Sequence, residues 1–332
     1  MRSIRPSALI AELKSNALAG QPSMIWGAPG VGKTQITQAV ADALDAKLYD
    51  LRANLFDPVD VRGGLKVVEQ EDGTYRTRYG VPEDYPNPDY EGNVLLDIEE
   101  LPAAPKATMN AFLQLVLDKR IGSYHLPKNT VIVATGNRAQ DRAAVHEMPT
   151  PLKNRFAHYT LEPNIDDWAA WAHKNGIDTS IIAFLRFRPM LLNDIDPTAN
   201  AFPTPRAWEM LSNKLPYTAD EFYGAASVVG DGAAGEYLMF KKIYKELPDI
   251  DKLLANPSTT AVPKDPSVLY AIAGALPSRI NDQTVSAIMK YTRRMPVDFQ
   301  VVIVRDCIAT QPSLITNPSM DTWMQENADV LL

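Results

Sequence analysis

The chain has 332 residues, 45% apolar and 22% charged, which is ordinary globular composition with enough material for one large or two to three modest domains. Its net charge of −7 gives a whole-molecule field that does not favour nucleic acid, although a ring-shaped assembly could concentrate a local basic loop. Cys307 is the only cysteine, which excludes an intrachain disulfide and a cysteine-rich zinc site and suits a reducing cytoplasm.

The opening residues, Met1-Arg2-Ser3-Ile4-Arg5-Pro6, lead into no long apolar stretch, so no signal peptide is expected. Runs such as Val301-Val302-Ile303-Val304 are too short to span a bilayer. Ser23 to Trp26 reads as a short apolar strand running into Gly27, and Ile36, Val40, Ala43 and Leu44 then recur at helical spacing. Lys47 to Leu51 reads as a second strand, and Val94, Leu95, Leu96 and Ile98 as a buried strand ending in acids. Met109, Phe112, Leu113 and Val116 mark a helix, Val131 to Val133 a further strand, and His158 to Leu161 another. Strands alternating with helices predict a parallel sheet covered on both faces, an α/β core over residues 1–162.

After about residue 163 the strand signals stop. Asp166 to Asn175 carries Trp168 and Trp171 in a helical setting, and loops rich in Pro and Asn are expected at 193–205 and 247–266. Helices are predicted over 206–215, 219–229, 233–246, 267–275, 281–293 and 297–309. The resulting division is an α/β core at 1–162, a helical lid at 163–246 and a helical C-terminal extension at 247–332.

Gly27-Ala28-Pro29-Gly30-Val31-Gly32-Lys33-Thr34 has the spacing G-x-x-x-x-G-K-T of a P-loop, between an apolar strand and an amphipathic helix as that motif requires. Gly30 and Gly32 permit the turn that aims backbone N–H groups at phosphate oxygens, and the helix N-terminus adds partial positive charge. Lys33 then reaches the β- and γ-phosphates of ATP, and the Thr34 hydroxyl ligates Mg2+.

Hydrolysis needs an acid near the metal and a second acid to activate water. Val94-Leu95-Leu96-Asp97-Ile98-Glu99-Glu100 supplies three candidates in an irregular pattern. With Asp97 at the metal, the next position is Ile98, which cannot polarise water; with Glu99 at the metal, Glu100 becomes the base. Asp97 and Glu99 share one face of the strand. Val131 to Asn137 is an apolar strand ending in a small-residue turn and an amide, and Asn137 at that carboxyl end can orient water or touch the γ-phosphate. Arg155 closes a short helix ahead of a strand, where a guanidinium suits a transition-state phosphate and can come from a neighbouring subunit; a surface ion pair is the plainer alternative. Arg206, in Phe202-Pro203-Thr204-Pro205-Arg206-Ala207-Trp208, opens a helix from which it either reports domain closure or merely sits at the surface.

Together these elements resemble the MoxR-type AAA+ ATPases, in the clade with an insert in the second core helix, over residues 1–245 and more loosely beyond. Ile25-Trp26-Gly27 through Lys33-Thr34 resembles their Walker A, Asp57-Pro58-Val59-Asp60-Val61-Arg62-Gly63-Gly64 the start of their insert, and Glu99-Glu100-Leu101-Pro102-Ala103-Ala104-Pro105 their Walker B. In that alignment the stretch from Glu99 through Ile121-Gly122 to Gly136-Asn137 runs without a gap, whereas placing Asp97 at the metal needs two extra residues. A Glu then stands where the family has Asp. The resemblance implies that Glu99 serves Mg2+ and Glu100 activates water, with Asn137 as sensor 1, Arg155 as arginine finger and Arg206 as sensor 2. It implies a P-loop AAA+ core with a helical lid and a hexameric ring with ATP at subunit interfaces. It also implies chaperone-like remodelling of partner complexes, often with a separate von Willebrand factor A-type protein. The 63–80 insert and the 121–127 hairpin would face the ring's pore or one rim. His125, in that hairpin, has no metal-ligand companions nearby and reads as a loop histidine.

The expected activity is therefore an ATP-driven remodelling motor. The irregular Walker B motivates an alternative, an ATP-gated oligomeric scaffold with weak hydrolysis. A nucleic-acid motor is the further alternative, opposed by the acidic balance.

Overall fold

The computed structural model describes residues 3–138, 141, 145–247 and 249–331. They separate into two compact units, residues 1–162 and residues 163–332.

The first unit begins with β1 (Ser3–Ile4) and α1 (Pro6–Leu18), followed by β2 (Ser23–Trp26), α2 (Lys33–Ala43), β3 (Ala46–Arg52) and α3 (Pro58–Arg62). A hairpin of β4 (Leu65–Glu69) and β5 (Tyr75–Tyr79) comes next, then β6 (Asn93–Glu99) and α4 (Lys106–Asp118). A second hairpin, β7 (Arg120–Ile121) and β8 (Tyr124–His125), precedes β9 (Thr130–Gly136), α5 (Thr150–Lys153) and β10 (Ala157–Leu161). Six strands form one sheet in the order β1-β10-β2-β9-β6-β3, every neighbouring pair parallel.

Alternation along these strands divides the core into two layers. Met24, Leu96, Ile98, Ile132 and Ala134 pack with Met109, Phe112 and Leu115 of α4 on one face. Ile25, Leu95 and Val133 pack with Leu9 and Leu13 of α1 and Ile36 and Val40 of α2 on the other. Both faces of β6 are covered, which explains its continuous apolar run. The register sets Trp26 beside Gly136, Ile98 beside Ala134, and Arg52 beside Glu99. The carboxyl ends of β2, β9, β6 and β3 thus finish along one edge, where parallel α/β sheets bind ligands.

The stretch 63–80 folds as the β4–β5 hairpin. Its base closes on Gly80, whose N–H donates to the Gly64 carbonyl at 2.8 Å. Leu65, Val67, Tyr75 and Tyr79 are exposed along it.

The second unit is helical: α6 (Ile165–Lys174), α7 (Thr179–Phe187), α8 (Pro205–Lys214), α9 (Glu221–Val229), α10 (Asp231–Lys245), α11 (Ile250–Ala255), α12 (Pro266–Ala275), α13 (Val285–Thr292), α14 (Val297–Thr310), α15 (Pro318–Glu326) and α16 (Ala328–Leu331). One apolar cluster gathers around Phe184, Trp208 and Tyr237, and another around Tyr291, Ile303 and Trp323. Helix α12 gives Ala271 to the first and Leu269 and Ile272 to the second. The Arg186 guanidinium, buried on α7, pairs with Asp306 of α14 and with Asp166 of α6.

Differences from the sequence expectations have local causes. Helix α11 lies inside the Pro/Asn-rich stretch at 247–266, started by Asp249, whose side chain accepts from Asp251 N. Helix α7, Thr-Ser-Ile-Ile-Ala-Phe-Leu-Arg-Phe, is buried almost all round, so no polar face gives it a helical period. Among the described residues, no helix is long and apolar enough to cross a membrane.

Candidate functional site

Strand β2 delivers the chain to Gly27, whose N–H donates to the Gly136 carbonyl at 3.1 Å and ties the loop to the end of β9. Gly30 and Gly32 have φ of 73° and 99°, left-handed conformations that carry the chain into the first turn of α2. Ala28 and Val31 are buried, so the loop is seated on the core, while Thr34 at the helix start stays exposed. Lys33 is buried, and its ammonium donates to the carbonyls of Gly27 at 2.9 Å and Ala28 at 3.1 Å and to Asn137 Oδ1 at 2.7 Å.

The acids at the end of β6 lie at different depths. The Thr34 hydroxyl donates to Glu99 Oε1 at 2.6 Å, and Arg52 Nε stands 3.8 Å from Glu99 Oε2. Asp97, two residues deeper on the same face, is 1% exposed. Burial pushes its carboxyl well above the ordinary carboxylate range, the Thr37 hydroxyl offsets this only in part, and the charges of Glu99 and Asp50 add to it. Its Oδ1 has no hydrogen-bond partner among the described residues. Asp50 is also raised, first by burial and then by the Glu99 charge.

Glu100 leaves the sheet with a φ of 54°, a left-handed backbone unusual for a residue with a side chain. This turns the chain into the short 3-10 segment Leu101–Ala103. Asn137 Nδ2 donates to Glu100 Oε2 at 3.1 Å while its Oδ1 accepts from Lys33. Lys33, Asn137 and Glu100 are therefore linked through one amide, and Thr34 and Glu99 through a hydroxyl. A Cβ on Gly136 would come within 2.4 Å of Pro102 Cδ and 2.9 Å of Met24 Cε. The glycine lets the turn after Glu100 lie against the end of β9. Sequence reading treated it only as part of a small-residue turn; its signal was the Gly directly before the amide. Arg52 beside Glu99 was missed, since only strand pairing brings β3 to β6.

Two predicted residues lie outside this network. Arg155 follows α5, exposed, and no carboxylate among the described residues pairs with its guanidinium. Its carbonyl accepts from Gln21 Nε2 at 3.1 Å. Arg206 belongs to the second unit, exposed in the first turn of α8, which Thr204 caps by accepting from Ala207 N at 3.1 Å. His125 lies exposed on β8, and no group of three metal-ligating side chains occurs among the described residues. The two hairpins meet at Gly122, where a Cβ would come within 3.1 Å of Tyr79 Cδ2.

The donor set fits Mg2+: a hydroxyl and a carboxylate, both hard oxygens, beside a phosphate cradle. Two protein oxygens suffice for this ion when substrate phosphates complete its shell.

Residues 22–156 match the family model described as AAA domain (dynein-related subfamily). Comparison with curated proteins finds no match. Among solved structures, the chain is similar to NtrX from Brucella abortus at 13% identity and a TM-score of 0.40, over 98% of this chain and 68% of that one. It is similar to a variant of RuvB from Thermotoga maritima at 16% identity and a TM-score of 0.39, over 85% of this chain and 83% of that one. A DNA polymerase III gamma subunit-related protein from Thermotoga maritima aligns at 12% identity and a TM-score of 0.33, over 97% and 91%. These structural likenesses are too low to bear on function. The matched segment has the P-loop fold of an AAA domain, and the activity that this domain supports is ATP hydrolysis.

Proposed function

We propose that this chain is the subunit of an ATP-driven ring motor of the MoxR type, hexameric and cytoplasmic. It remodels complexes of partner proteins with a separate von Willebrand factor A-type partner. The observation that carries this reading is the pair of contacts Thr34–Glu99 and Lys33–Asn137–Glu100 at the strand ends. Gly27 to Gly32 wrap the phosphates with backbone N–H groups, and Lys33 exchanges loop carbonyls for β- and γ-phosphate oxygens. Thr34 and Glu99 would hold Mg2+, which when bound neutralises charge on the phosphate oxygens. Asp97, buried, supports the strand beneath them.

Glu100 takes the proton of the attacking water, and Asn137 aligns that water while sensing the γ-phosphate. Arg155 enters the site of the adjacent subunit and stabilises the transition-state charge. Arg206 reports closure of a lid formed by 163–246, with 247–332 as an extension of it. The two hairpins face the pore or one rim of the ring.

The test is Glu100→Gln. ATP binding is retained while turnover falls by about 10²- to 10⁴-fold, the usual worth of a general base. Hydrolysis at the parent rate overturns the assignment. A second reading, an ATP-gated scaffold with weak hydrolysis, is favoured by Arg52, whose guanidinium competes with a metal ion for Glu99. Rapid steady-state turnover of the purified chain excludes it.

A further inference from the structure

His158 makes two hydrogen bonds whose directions follow from chemistry alone. Trp26 Nε1, which can only donate, lies 3.0 Å from His158 Nδ1. The Lys153 carbonyl, which can only accept, lies 2.8 Å from His158 Nε2. The tautomer with its proton on Nε2 and a bare Nδ1 satisfies both partners. Phe156 meets it edge-on at 6.3 Å and Trp26 stacks at 6.1 Å, so packing holds the plane as well.

Each end of this bridge leads to a residue of the proposed machinery. Trp26 ends β2 directly before Gly27, whose carbonyl accepts from Lys33. Lys153 ends α5, two residues before Arg155. The Arg155 carbonyl is pinned by Gln21 at 3.1 Å, and Ala157 N donates to the Pro22 carbonyl at 2.8 Å. The backbone on either side of Arg155 is thus anchored to strand β2 and the residues before it. Strand β2 lies inside the sheet between β10 and β9, whereas α5 is a four-residue helix. Cutting the bridge is therefore expected to shift the short arm rather than the strand.

We propose that His158 is a positioning residue for ATP hydrolysis, setting the arm that presents Arg155 by tying Lys153 to the Trp26 end of the phosphate-loop strand. The inference rests on the reading of Arg155 as the finger offered to a neighbouring subunit. One ring nitrogen of His158 faces each partner, so a single side chain links α5 to the residue before the phosphate loop.

Mixed oligomers test both ideas separately. Lys33→Ala subunits keep Arg155 but lose their own nucleotide site; Arg155→Ala subunits keep the site but lose the finger. Each alone is expected to be inactive, and the mixture to hydrolyse ATP. An inactive mixture removes the finger reading, and this inference with it, before His158 is touched. With an active mixture, His158→Phe placed in the Lys33→Ala subunit, which removes both hydrogen bonds, lowers kcat by about three- to tenfold without changing KM for ATP. The same change in the Arg155→Ala subunit, where no finger remains to be placed, has no such effect. Trp26→Phe in the Lys33→Ala subunit, which removes the indole donor while keeping an aromatic ring, repeats the loss. An equal fall in both placements would mean a general structural role and overturn the inference; so would no fall in the finger-donating subunit.

Discussion

Thr34 and Glu99, 65 residues apart in the chain, are joined by a 2.6 Å hydrogen bond from the threonine hydroxyl to the carboxylate. The first turn of α2 and the last residue of β6 thereby present two hard oxygens to one point. Thr34→Val keeps the volume and removes one of them. Magnesium affinity in the presence of ATP is expected to fall by at least the roughly 10- to 100-fold that even an outer partner is worth. A metal titration of ATPase activity reads this directly, and an unchanged midpoint would remove Thr34 from the metal.

Asp97 gives the converse experiment. Burial pushes its carboxyl well above the ordinary carboxylate range, and Asp97→Asn keeps its shape while removing any charge it could carry. Turnover is expected to stay within about twofold of the parent, while Glu99→Gln loses most of it. An inactive Asp97→Asn with a normal melting temperature would move the metal role to Asp97.

Gly136→Ala puts a methyl group 2.4 Å from Pro102 Cδ. Overpacking of this kind costs about 1–3 kcal/mol. Relief requires the turn after Glu100 to move away from Asn137. Both a lower melting temperature and a lower kcat are expected, and full activity in a stable Gly136→Ala protein would show that this contact does not set the Glu100 position.

In the helical unit, Asp306 accepts from Arg186 Nε at 2.9 Å and lies 3.3 Å from His173 Nε2. Burial alone would push the Asp306 carboxyl up, but the adjacent His173 ring and the Arg186 charge outweigh that and hold it below the ordinary range. A carboxyl lowered by folding contributes stability in full above its unfolded value of about 3.8 and loses it as pH falls through the lower folded value. The parent should therefore lose melting temperature below about pH 4. Asp306→Asn should be less stable at neutral pH by about 3–5 kcal/mol, because Arg186 is left buried without its main counter-charge, and should show a shallower acid loss. Parallel melting curves against pH for the two proteins would contradict this.

Much of the fold and site is legible in the chain because its signals are local. The phosphate loop is eight consecutive residues between a strand and a helix, and β2, β6 and β9 each announce themselves as short apolar runs. Helix α7 is less legible, since a segment buried on all sides has no periodic contrast. Arg52 and His158 carry no signal at all: an arginine at a strand end and a histidine in a strand acquire partners only through β3–β6 and β10–β2 pairing.

From the sequence alone came the nucleotide class, the acids available at the end of β6 and the amide at the end of β9, since each depends on residues adjacent in the chain. Tertiary structure decided which carboxylate Thr34 reaches. Asp97 and Glu99 share a face, and alternation cannot separate them. Only the packing of α2 on the sheet places Thr34 beside Glu99 and leaves Asp97 under Thr37, out of water, where burial disfavours its charge.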